Sequence, residues 1–210
     1  LVSRWNEPGR GERRLLSLLR GHRMKCLLRK ALDERHFLSP FGLRSISRTL
    51  AEQPYSIWID GKPYTVRYEP AESQTGLFGG NSNWRGPVWM PINFLLIEAL
   101  QKFGQYYGDS FKVEFPTRSG NWVSLWDASL LLEHRLVNLF RRGSDGRRPF
   151  NGDVDLFQND PHWRDLLLFN EYFHGDHGSG VGASHQTGWT AMVCKMINQL
   201  NRYPSSATGS

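Results

Sequence analysis

The chain has 210 residues, 39% of them hydrophobic and 22% charged, a balance that fits one globular domain with a sizeable core and excludes collagen-like, coiled-coil and disulfide-scaffold proteins. No apolar run approaches the roughly 18 residues that a membrane-spanning helix needs. The formal net charge is +6, and the excess belongs to residues 1–50, which hold 12 of the 26 Lys and Arg but only 4 of the 20 Asp and Glu.

Aromatic residues reach 13%, with eight Trp and twelve Phe. Flat side chains suit sugar faces, bases and cores alike, so composition leaves a carbohydrate-active protein, a nucleic-acid binder and an aromatic-cored enzyme standing. The chain opens on Leu1 without a basic, apolar, small-residue leader, which reads as a segment of a longer protein. Cys26 and Cys194 lie far apart with no CxxC spacing and read as reduced, core-type thiols.

In chain order, Leu15, Leu16, Leu18, Leu19, Met24, Leu27, Leu28 and Leu32 recur at helical spacing from Glu12 to Glu34, and Gly21 breaks the run into a two-part helix. The interleaved Arg and Lys residues read as a solvated face before they read as a phosphate-binding one. Ile57, Ile59, Tyr64, Val66 and Tyr68 alternate around Asp60-Gly61, the pattern of a tight hairpin. From Pro70 to Arg85 the composition is that of a loop. Val88, Ile92, Leu96, Ala99, Leu100 and Phe103 then mark one face of a helix from Val88 to Tyr107 that stops at Gly108, with Pro87 in its first turn.

A second long helix is expected from Ser124 to Arg142, with Ala128, Leu131, Leu132, Leu136, Leu139 and Phe140 inward. Residues 143–149 read as an exposed turn. A last helix follows from the spacing of Trp189, Met192, Val193, Met196, Ile197 and Leu200, and the small polar stretch 204–210 reads as a flexible tail. No βαβ alternation and no repeat period appear, so the fold class is mainly α with one small β-hairpin.

Chemistry-bearing residues concentrate in two loops that lead into helices. One is GGNSNWRGPVW, residues 79–89, where Trp84 and Trp89 offer apolar platforms, Arg85 a fork of donors, and Asn81 and Asn83 both donors and acceptors. Its equally weighted alternative is a core-packing Trp pair with Arg85 matched to a structural acid. The other is NEYFHGDHGSGVGASHQTGW, residues 170–189, which gathers a carboxylate, imidazoles, amides and an indole, the content of a polar-ligand pocket. Here the plainer alternative is a helix-entry loop capped by Ser184 or Thr187. His174, Asp176, His177 and His185 raise a zinc-type reading, but no second cluster supplies the remaining ligands. The stretch from Gly178 to Ala183 is a loose dinucleotide fingerprint without the strand and acid that would support it.

These two loops, together with the PINFLLIEAL run at 91–100 and the GLRSIS segment at 42–47, resemble the C-terminal part of glycoside hydrolase family 63, the family of processing α-glucosidase I. The similarity spans nearly all of residues 3–200. It implies an (α/α)6 toroid, of which residues 1–203 would be the C-terminal portion, and an inverting exo-acting α-glycosidase that takes oligosaccharides and needs no organic cofactor. A bacterial-type member would be cytoplasmic.

Inversion uses two carboxyl groups, one protonating the leaving oxygen and one activating water, about 6.5–9.5 Å apart. By its place in the motif Glu171 matches the family's general base. Trp84, Arg85, Gly86 and Trp89 match its substrate-pocket segment, and His185, Gln186 and Trp189 lie in its closing motif. The family's general acid is an aspartate upstream of the region matched, and Asp127, Asp155 and Asp176 do not fit its motif. The resemblance therefore implies a piece that is inactive alone. Two rivals remain at this level: a non-catalytic carbohydrate-binding module, and a metal-dependent hydrolase built on the histidine cluster. A nucleic-acid role ranks below both.

Overall fold

The structure, a computed structural model, describes residue 15 and residues 17–76 and 83–203. Parts of the expected leading helix, the Gly79–Ser82 stretch and the 204–210 tail lie outside the described residues. The architecture is mixed: helices carry the core, and four two-stranded antiparallel sheets stitch the loops together among the described residues.

The first helix, α1 (Gly21–Ala31), starts at the glycine that the sequence pattern reads as an interruption. Ser17 explains part of this, because its hydroxyl accepts a hydrogen bond from the Leu19 N–H at 3.0 Å and offers the backbone a turn instead of a helix. Met24, Leu28 and the following Leu32 are buried along one stripe, while Arg23, Lys25, Arg29 and Lys30 face solvent, as the solvated-face reading expects. Cys26 and Cys194 are free thiols but exposed, which corrects the core-type expectation; Cys26 falls on the outer face of α1.

Strands β1 (Leu38–Ser39) and β2 (Gly42–Leu43) pair next, and the hairpin of β3 (Tyr55–Ile59) and β4 (Lys62–Val66) forms around the expected Asp60-Gly61 turn, with Tyr68 beyond its end. Both turn residues have positive φ, 48° and 72°, which is what a two-residue turn matched to the strand twist demands.

Helix α2 (Met90–Tyr107) begins two residues later than expected, so its first-turn proline is Pro91 and not Pro87. Its buried stripe is Met90, Asn93, Ile97, Leu100 and Gln101, whereas Ile92 is 49% exposed. The helix is apolar nearly all round, so periodicity does not single out one face. Asn93 decides it: its amide oxygen accepts from Leu43 N–H at 2.7 Å, and its amide nitrogen donates to the carbonyls of Leu43 and Trp89 at 3.0 and 2.9 Å.

Strands β5 (Lys112–Glu114) and β6 (Trp122–Ser124) lead into α3 (Leu125–Asn138). Ser124 caps α3, accepting from the Asp127 N–H at 3.1 Å and donating to its carboxylate at 2.8 Å. The helix ends four residues before the expected Arg142, yet Leu139 and Phe140 stay in the core. Helices α2 and α3 pack on each other, and α3 packs on the last helix.

After the short α4 (Asp155–Asn159) come β7 (Tyr172–Phe173) and β8 (Gly180–Val181), and then the last helical run. The run is split into α5 (Thr187–Thr190) and α6 (Val193–Arg202), with Thr190, Val193 and Met196 buried and Ile197 40% exposed. Three of the four strand pairs are two or three residues long, too short to leave an alternation in the sequence.

One backbone arrangement ties the chain's distant parts together. Val88 bridges Arg44 on one side and Phe173 on the other, which joins the β1–β2 pair to β7–β8 through a single residue. The two chemistry-bearing loops are thereby locked side by side.

Candidate active site

Glu171 enters the site from the position just before β7. Its backbone N–H donates to the Ala183 carbonyl at 2.8 Å, and one carboxylate oxygen accepts from the Ala183 N–H at 3.2 Å. The carboxylate is half-buried against Gly182, where an added Cβ would stand 2.8 Å from it and φ is +71°. The next residue, Tyr172, is fully buried, and its ring lies against the same Gly182, 2.7 Å from the position of the added Cβ.

Beside Glu171 the aromatic residues form a stack. Trp84 lies on Trp89 with ring centroids 3.8 Å apart and planes 6° from parallel. Trp89 lies in turn on Tyr172 at 4.6 Å and meets Trp189 at 5.5 Å. Trp89 is 1% exposed and its indole N–H donates to the Asn83 carbonyl at 2.9 Å, while Trp84 is 39% and Trp189 37% exposed. The stack thus has a buried base and two rings open to solvent. It combines both readings of the tryptophan pair, since Trp89 is core and Trp84 is surface.

Arg85 follows the alternative that pairs it with an acid. It is buried and forms an ion pair with Glu69 at 2.8 Å, and it donates to Thr75 at 2.8 Å and to the Ser73 hydroxyl. Asn83 reinforces the same contact, donating to the carbonyls of Glu69 and Ala71, both at 2.6 Å. Gly86 has φ +154°, and an added Cβ would stand 2.6 Å from the Glu69 carbonyl oxygen, so this backbone approach requires glycine. Arg85 and Gly86 therefore shape the wall beneath Trp84. Asn81 lies outside the described residues.

The closing motif is tied to the extended segment before Glu171. Gln186 donates its N–H to the Phe169 carbonyl at 2.6 Å, and the Thr190 hydroxyl donates to the Asn170 carbonyl at 2.5 Å. The cap of α5 is Gln186 without a side-chain bond, so neither Ser184 nor Thr187 acts as the expected cap. His185 is exposed, with its ring over Phe169 at 6.0 Å, apart from the stack.

The histidine cluster has other work. Asp176 accepts from Arg44 at 2.9 Å and from the Tyr68 hydroxyl at 3.0 Å, with Arg48 at 3.7 Å. The ring nitrogen Nδ1 of His174 accepts from the backbone N–H of Asp176 and of His177, and its ring stacks on His177 at 3.5 Å. Burial, with the neighbouring His177, pushes the His174 imidazole down to about 4, so it is neutral above that pH. Among the described residues no group of three or more His, Cys, Asp or Glu is placed to hold a metal ion.

Three site features were not singled out by sequence reasoning. They are Glu69, the buried counter-ion of Arg85; Tyr172, the lower ring of the stack; and the Arg44–Tyr68–Asp176 network, which clamps the turn after β7. Only Tyr172 carried a signal, since it is the residue between Glu171 and the buried Phe173 on an extended segment.

Comparison with known proteins gives a consistent set of relatives. The chain is 46% identical over 201 residues, 95% of its length, to the uncharacterized protein YMR196W of Saccharomyces cerevisiae. It is 28% identical over 62% of its length to the mannosyl-oligosaccharide glucosidase of the same yeast, and 24% identical over 84% to a probable mannosyl-oligosaccharide glucosidase of Schizosaccharomyces pombe. It spans 18%, 12% and 15% of those relatives' own lengths. No helix among the described residues is long and apolar enough to cross a membrane. The family model of the mannosylglycerate hydrolase MGH1-like glycoside hydrolase domain matches residues 15–190, and the chain belongs to that family, within glycoside hydrolase family 63.

Proposed function

We propose that the chain is the C-terminal portion, residues 1–203, of an inverting exo-acting α-glycosidase with an (α/α)6 toroid, in which Glu171 is the general base and terminal α-linked sugars of oligosaccharides are the substrate. The observation that carries this reading is that the Glu171 carboxylate and the ring of Tyr172, the lowest in the partly exposed Trp84–Trp89–Tyr172 stack, both lie against Gly182. An indole face suits the C–H face of a pyranose, and a carboxylate at its edge is where an activated water is needed.

In this mechanism the Ala183 N–H fixes one carboxylate oxygen of Glu171, and the carboxylate takes a proton from water. Trp84 and Trp189 flank the sugar, Gln186 orders the closing loop, and His185 stands at the rim. Arg85 and Gly86 act from below, holding the loop that presents Trp84. The general acid belongs to the part of the longer relatives that this chain does not span. The mannosyl-oligosaccharide glucosidases among the relatives favour a neutral sugar chain as substrate over the anionic mannosylglycerate in the family's description.

The test is hydrolysis of α-glucosides by the full-length protein, with the released anomer followed by NMR. The β-anomer should appear first, and Glu171→Gln should lower kcat by about 10^2- to 10^4-fold. A folded full-length protein that binds sugar, hydrolyses nothing and is indifferent to Glu171→Gln is a binding module instead.

A further inference from the structure

The turn beyond α3 has the sequence RRGSDGRR, residues 141–148, with two arginines on each side of a single serine. Residues 141–146 are all exposed. Two backbone hydrogen bonds close the turn, from the Gly143 N–H to the Arg147 carbonyl at 2.8 Å and from the Gly146 N–H to the Gly143 carbonyl at 3.0 Å. Ser144 lies at its tip, and its hydroxyl has no hydrogen-bond partner among the described residues.

Arg142 reaches across this turn. Its guanidinium donates to the Gly146 carbonyl at 2.8 Å and to the Arg164 carbonyl at 3.0 Å, and it pairs with the Asp165 carboxylate at 2.9 Å. It stands at the rim of a polar cavity of about 380 Å3 that Asp145, Gly146, Arg164 and Asp165 also line. Asp165 is 66% exposed, so water and salt weaken the ion pair. Ser47 makes an instructive contrast. It also follows an arginine, Arg44, by three residues, but the Arg44 side chain is 3% exposed and the Ser47 hydroxyl is bonded to Thr49 at 2.8 Å and to His36 at 3.0 Å.

We propose that Ser144 is a phosphorylation site for a protein kinase that selects arginines two and three residues before the acceptor, and that the phosphate draws Arg142 away from Asp165. An acidic kinase cleft reads Arg141 and Arg142 as positive charge, and opening the turn breaks only its two backbone bonds and the contacts of Arg142. The Ser144 Oγ attacks the γ-phosphorus of ATP, the new O–P bond forms as the bond to ADP breaks, and the hydroxyl proton passes to the kinase's catalytic base. The product carries a charge of about −2 and three strong acceptor oxygens, against the single charge of Asp165. The residues that Arg142 releases, 164 and 165, run on to Glu171.

The experiment incubates the full-length protein with Mg2+, ATP and the catalytic subunit of an arginine-directed kinase, and locates the phosphate by peptide mass spectrometry. Ser144 should be modified, and Arg141→Ala, which disturbs no contact of the turn, should slow the reaction about tenfold or more. A folded protein whose Ser144 stays unmodified, or is modified as fast in Arg141→Ala, overturns the site. Protein isolated from its own cells should carry the same phosphoserine, and a Ser144 peptide found there only without phosphate also overturns it. Amide exchange across residues 160–168 reads the second half of the proposal. It should quicken about two- to fivefold on phosphorylation, and Arg142→Ala should give the same change without kinase. Exchange that quickens in Arg142→Ala but not on phosphorylation overturns the transfer of Arg142.

Discussion

Val88 and Phe173 exchange both backbone hydrogen bonds, at 2.8 and 3.0 Å, although 85 residues separate them. This pairing sets Trp89, the residue after Val88, against Tyr172, the residue before Phe173. The carboxylate of Glu171 is then one residue from the aromatic stack. Geometry at the site thus depends on a backbone contact as well as on side chains.

Trp89 and Trp84 should separate stability from binding. Trp89→Ala removes a fully buried ring and should cost about 3–5 kcal/mol of stability by urea denaturation. Trp84→Ala removes a partly exposed ring, should cost much less stability, and should weaken sugar binding about tenfold by fluorescence or calorimetric titration.

Gly182→Ala tests whether the position of the Glu171 carboxylate matters. The new Cβ would stand 2.7 Å from the Tyr172 ring and 2.8 Å from Glu171, at a backbone φ of +71° that disfavours alanine by about 1–2 kcal/mol. On the proposed glycosidase reading, kcat of the full-length protein should fall about a hundredfold, as expected for a misplaced group, with a smaller change in KM.

Asp176→Asn should loosen the turn that follows β7. The Arg44 side chain is 3% exposed and would lose its ion-pair partner, at a cost of about 2–3 kcal/mol, below the full range for a buried pair because Asp176 is 31% exposed. Thermal unfolding of wild type and variant measures the loss.

Glu133 makes stability depend on pH. It is 1% exposed on α3 and held by Gln101 at 3.3 Å, its second carboxylate oxygen has no hydrogen-bond partner among the described residues, and Glu98 and Lys195 are nearby charges. Burial raises its carboxyl from 4.5 to about 7. The unfolded chain therefore releases this proton first, and stability present below pH 4.5 is lost as pH rises toward 7, by on the order of 3 kcal/mol. Urea denaturation at pH 5 and pH 7.5 should show this slope, and Glu133→Gln should flatten it.

The sequence by itself determined the family, the two loops that carry chemistry, the hairpin around Asp60-Gly61 and the existence of the long helices, because each rests on local signals: motif strings, turn residues and apolar periodicity. Only the tertiary structure decided which face of α2 is buried, since Asn93 makes that choice through a partner fifty residues away. It also decided that Arg85 is spent on Glu69, that Asp176 serves Arg44 and Tyr68, and that Trp84 stays open to solvent while Trp89 does not. A charged or aromatic side chain is equally compatible with a ligand or with an internal partner. Long-range backbone pairing, which leaves no periodic trace in two-residue strands, determines which of the two it meets.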